Sequence, residues 1–201
     1  VKATELLKQQ HRTVDDLFKK FEKAGDEQQP DIFLEIAGTL VAHDAIEREI
    51  FYPACEKALG DEDILKESLV EHGLVEFCIF RADKNRNKDT LESYVKVLKE
   101  VVQHHVEEEE EELLPKVEKA MKPDQLEALG NQMMERFEDA HASDFRKPLR
   151  DNLQQVLAGR AKTKKASKRP AKRAPARRAR AVRKSPAKKS ARASVSKRAS
   201  R

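Results

Sequence analysis

Four histidines and two glutamates recur in this chain at spacings that suit metal coordination. His43 and Glu47, followed by Pro53, return sixty-two residues later as His105, Glu109 and Pro115, in the stretches HDAIEREIFYP and HVEEEEEELLP. The His-to-Glu offset is four and the His-to-Pro offset is ten in both. Each copy also has a histidine upstream: His11 lies 32 residues before His43, and His72 lies 33 before His105. On a helix, residues i and i+4 share a face, so one turn presents an imidazole and a carboxylate together. All six residues interrupt apolar stripes, His11 between Leu7 and Val14 and His105 after Val102, for example. A buried carboxylate without a partner is costly. A cation satisfies all six groups at once, and imidazole with carboxylate suits Fe, Mn, Zn or Cu. Two carboxylates that can each bridge favour a dinuclear centre.

The elements that must position these groups read as helices throughout. Apolar residues at helical spacing predict helix A over about 2–23, B over 31–58, C over 62–84 and D over 89–120, then a fifth helix over 124–157 bent at Pro148. The expected stripe of helix B is Ile36, Leu40, Ile50 and Ala54. Pro53 and Pro115 fall inside helical patterns and should kink each helix, or end its regular part, just past the glutamate. No stretch alternates like a strand. The expected fold is all-α, an up-and-down four-helix bundle with a fifth C-terminal helix and then a basic tail.

Composition divides the chain in two. Residues 159–201 hold 19 Lys or Arg and no acid, while the first 158 hold 22 basic residues against all 36 acids. An acidic bundle of net charge −14 is therefore joined to a +19 tail, and the boundary is placed at 158/159. Cys55 and Cys78 are isolated and read as reduced thiols of a cytosolic protein. No apolar run approaches the ~20 residues of a membrane span. The first 23 residues are too charged for a secretory leader. The expected location is cytoplasmic, near the nucleoid, with no membrane partner.

The ordered pattern His11, His43-x3-Glu47, His72, His105-x3-Glu109 resembles the hemerythrin-like, HHE cation-binding domain. The resemblance covers residues 1–120 and extends toward the fifth helix. It implies a non-haem di-iron centre in which Glu47 and Glu109 bridge, His11 and His43 cap one iron, and His72 and His105 the other. It also implies a small ligand: oxygen, peroxide or nitric oxide. Oxygen-carrying members add an HxxxH pair and a later HxxxxD, where this chain has His72-x3-Glu76 and no HxxxxD after it. Binding or sensing is therefore expected before simple carriage, with peroxide scavenging or a structural, iron-storing role as alternatives. Asp15 and Glu76 are candidates for outer-sphere acceptors or extra ligands, His104 and His141 are candidate ligands outside the repeat, and Tyr52 is a candidate hydrogen-bond donor.

The tail, with KSPAKK at 184–189 and RAPARRARA at 173–181, resembles the Lys/Ala/Pro-rich tails of linker histones and bacterial histone-like proteins. It has no aromatic residue and too little apolar surface to offset ordering, so disorder is expected. Its charge should condense on a polyanion, DNA first, without sequence preference.

Overall fold

The computed structural model describes residues 1–158 other than 86. The expected basic tail, 159–201, lies outside the described residues. Among the described residues eight α-helices follow in order: α1 Ala3–Lys23, α2 Gln29–Ile46, α3 Tyr52–Leu59, α4 Asp63–Lys84, α5 Lys88–Glu108, α6 Leu114–Ala120, α7 Pro123–His141 and α8 Arg146–Leu157. Two five-residue π-helical turns, Glu47–Phe51 and Glu109–Leu113, join α2 to α3 and α5 to α6. No strand occurs among the described residues.

Both π turns arise at the repeated prolines. Pro53 and Pro115 stand second in α3 and α6, where a missing N–H costs little. The wider turn before each is closed by i→i+5 bonds: Tyr52 N–H donates to the Glu47 carbonyl, and Leu114 N–H to that of Glu109. The predicted interruption is thus a continuous helix with one widened turn. The extra residue rotates the buried face. Phe51 and Cys55 are fully buried, whereas Ile50 and Ala54, expected on the stripe, are half-buried.

The apolar residues form two clusters. One holds Val14, Phe18, Phe33, Ile36, Leu40, Ile79, Leu98 and Val102. The other holds Leu6, Leu7, Ile46, Phe51, Tyr52, Leu65, Leu113 and Val117. α1 and α4 run from the second cluster to the first; α2 and α5 run back, which is the expected up-and-down order. The four histidines fall where each helix crosses between clusters. A polar layer is therefore held between two apolar ones, which keep water from its sides.

The fifth helix is two helices rather than one bent at Pro148. The chain breaks at 142–145, where the Asp144 side chain accepts the Arg146 N–H at 3.1 Å and starts α8. Pro148 then sits in the first turn of α8, where no helical partner for its nitrogen is required. The break lets α7 pack on α1 and α2 while α8 packs on α4. The start of the chain crosses α7 at Gly130, where a Cβ would lie 2.2 Å from the Val1 carbonyl oxygen.

Candidate metal centre

The structure gathers all six residues of the repeated pattern in the polar layer. His11, His43, His72 and His105 are each 5–6 % exposed, and Glu47 and Glu109 are fully buried. Ligand atoms of His11, His43, Glu47 and Glu109 lie within 4.8 Å of one another, and so do those of Glu47, His72 and His105. Glu47 belongs to both groups. Its Oε1 is 3.2 Å from His43 Nε2 and its Oε2 is 3.2 Å from His72 Nε2. Glu109 Oε2 lies between the pairs, 3.5 Å from His11 Nε2 and 3.8 Å from His105 Nε2.

Several atoms facing the centre are left unsatisfied, while His72 Nε2 and His105 Nε2 lie 3.3 Å from each other. His11 Nε2, both Glu47 oxygens and Glu109 Oε2 are buried with no hydrogen-bond partner among the described residues. Such groups normally cost 1–3 kcal/mol or more each. Nitrogen and oxygen donors converging in this way fit a transition-metal cation, which accepts their lone pairs directly.

The outward nitrogens are tied down in a closed ring. Nδ1 of His43 donates to Gln10 Oε1 at 2.8 Å, and Nδ1 of His72 to Asp44 Oδ1 at 2.5 Å. Nδ1 of His105 donates to Glu71 Oε2 at 2.9 Å, and Nδ1 of His11 to Glu110 Oε1 at 2.8 Å. α1 thus orients the histidine of α2, α2 that of α4, α4 that of α5, and the turn after α5 that of α1. Donation at Nδ1 aims each Nε2 inward, the orientation that outer hydrogen bonds give to metal-binding histidines.

None of these four acceptors was among the sequence candidates. Each is the immediate neighbour of a ligand candidate: Gln10 of His11, Asp44 of His43, Glu71 of His72 and Glu110 of Glu109. Asp15 is instead paired with Lys19 at 2.6 Å, away from the centre. Glu76 is buried but accepts from no ligand histidine, its nearest charged partner being Arg48 at 3.6 Å. His104 is 61 % exposed and outside the polar layer. His141 stacks on Phe137, with ring centroids 5.5 Å apart, at the exposed end of α7. Tyr52 does reach the centre. Its hydroxyl donates to Glu109 Oε1 at 3.1 Å and lies 3.2 Å from His72 Nε2.

Charges are held by proximity. Burial pulls the His72 pKa down, but the hydrogen bond and charge of Asp44, with Glu47, outweigh it and raise it to about 10. Burial pushes Glu47 upward, yet the charges and hydrogen bonds of His43 and His72 hold it well below the usual carboxylate range. Burial and the charges of Glu109 and Glu47 push the Tyr52 phenol well above its ordinary value. Asp44 is further fixed by Arg48 Nε at 2.5 Å and Asn152 Nδ2 at 3.1 Å, so α8 also braces the site.

A cavity of about 30 Å³ opens beside the four histidines, walled mainly by Val14, Leu40, Val41, Val75, Ile79 and Val102, with Asp44 and Glu76 as its acids. It has room for about two water-sized atoms.

An all-helical bundle with buried His and Glu clusters suited to a metal defines the class. The model of the hemerythrin HHE cation-binding domain matches residues 2–117, more than half of the chain, and the chain belongs to that family. The fold is similar to the crystal structure of a hemerythrin HHE cation-binding domain-containing protein from Mycobacterium kansasii. Identity is 25 %, 76 % of this chain and 99 % of that one are covered, and the TM-score is 0.65. No curated protein matches the chain.

Proposed function

We propose that the protein is a non-haem di-iron, hemerythrin-like protein that binds or senses oxygen, peroxide or nitric oxide, and that residues 159–201 tether it to nucleic acid. The observation that carries this reading is the pair of buried His and Glu groups that share Glu47, with His11 Nε2 and carboxylate oxygens left unsatisfied, beside a small, mostly apolar cavity. His11 and His43 would hold one ion, His72 and His105 the other, and Glu47 and Glu109 would lie between them. A bound iron pair supplies the redox electrons and the open coordination positions for the small ligand. The chain's own residues do the rest. The Nδ1 ring keeps each imidazole oriented, the Tyr52 hydroxyl fixes Glu109, and the valine and leucine walls keep bulk water out. The cavity admits a diatomic molecule or a peroxide and excludes an organic substrate.

A second reading, turnover of peroxide, is favoured by Glu76 on the cavity wall. Burial and the neighbouring Asp44 charge raise its carboxyl to about 7, where it can hold or give a proton near neutrality. Spectra of the iron-loaded protein without oxygen, in air and with nitric oxide, together with oxygen release from added peroxide, separate these roles. Spectral change with no turnover supports binding or sensing. Sustained turnover supports the scavenger. A spectrum unchanged by every ligand contradicts both.

A further inference from the structure

His104 and the glutamate run 107–112 are the conspicuous groups that the buried centre leaves largely unused. We propose that exposed His104, half-buried Glu108 and buried Glu71 form a cation site at the surface, at which a divalent transition-metal ion first lands on its way to the buried centre. The inference rests on the reading of that centre as a metal site. His104 Nε2 is 3.6 Å from Glu71 Oε1 and 3.5 Å from Glu108 Oε1, and ligand atoms of all three lie within 4.8 Å of one another. Donors sharing one ion at about 2.1 Å stand roughly 3.0–3.4 Å apart, so only a small closure is needed.

Glu71 joins this outer group to the inner one. Its Oε1 faces His104, while its Oε2 accepts from His105 Nδ1 at 2.9 Å. The His105 ring then spans from Glu71 to the centre. A cation held by Glu71 Oε1 draws charge from the carboxylate whose Oε2 holds His105, and so loosens the imidazole between outside and inside. The surrounding charge favours arrival: Glu107, Glu111 and Glu112 are exposed beside the group, on a bundle of net charge −14. The group is not a by-product of the repeat, since the positions equivalent to His104 and Glu108 in the first half are the buried, apolar Ala42 and Ile46.

The test uses the full-length chain, stripped with a chelator, and the H104A/E108Q variant. In a calorimetric titration with Zn²⁺, wild type should show tight binding at the centre and one weaker step. The variant should lose only the weaker step. Iron(II) uptake into the centre should slow by roughly tenfold in the variant while the final iron content stays the same. A weaker step that survives the double substitution, or equal uptake rates, would overturn the entry site while leaving the buried centre intact. No tight binding by either protein would overturn the buried centre itself, and the entry site with it.

Discussion

At the scale of residues, the centre is organised around where protons sit on four imidazoles. Asp44 holds a proton on His72 Nδ1 and raises its pKa to about 10. In the metal-free protein, a histidine whose folded pKa exceeds its unfolded value stabilises the fold fully below about 6.5. That contribution is lost as pH rises through the folded value. Denaturant unfolding of chelator-treated protein should therefore show stability falling between pH 6.5 and 10, and D44N should remove most of that fall. Equal slopes in the two proteins would place the proton elsewhere. The six ligand candidates were legible in the sequence because each pair recurs at fixed offsets on apolar faces. Gln10, Asp44, Glu71 and Glu110 were not, because each adjoins one ligand along the chain yet serves the histidine of a different helix. That relation exists only once the helices are packed. Asp15 and Glu76 had the right helical spacing, but the structure turns Asp15 to Lys19 and Glu76 to Arg48.

At the scale of elements, the two π turns decide which residues follow the glutamates into the core. The repeated prolines were visible in the sequence, and so was the disturbance they impose. The form of the disturbance was not, because an i→i+5 turn keeps the helix running while advancing its face by one residue. Phe51 and Cys55 replace Ile50 and Ala54 in the core for that reason. An interior helix proline ordinarily costs about 3 kcal/mol relative to alanine. Here the widened turn and the first-turn position of Pro53 already accommodate it. P53A should therefore change the stability of the metal-free protein by less than about 1 kcal/mol, as read by urea unfolding. A gain near the full proline cost would show that the π turn is held against strain. The break between α7 and α8 was missed because Pro148 looked like the obstacle. The interruption comes from the Asp144 cap, after which the proline fits the new helix.

At the scale of the whole chain, an acidic bundle and a basic tail call for separate tests. The +19 tail has the charge to neutralise many phosphates, whereas a bundle of −14 is repelled by them. Deleting 159–201 should abolish DNA binding and leave metal content unchanged. Full-length binding should weaken steeply with salt, by about 0.9 in log–log slope per phosphate contact. A truncated chain that still binds, or salt-indifferent binding, would contradict the tether. The central claim is the buried metal pair, and metal stoichiometry tests it most directly. Wild-type protein loaded with iron and freed of excess should hold about two ions per chain, the number the dinuclear reading requires. The E47A/E109A variant, shown to be folded by its helical circular dichroism, should fail to hold the pair. Two irons per folded variant chain would contradict the account.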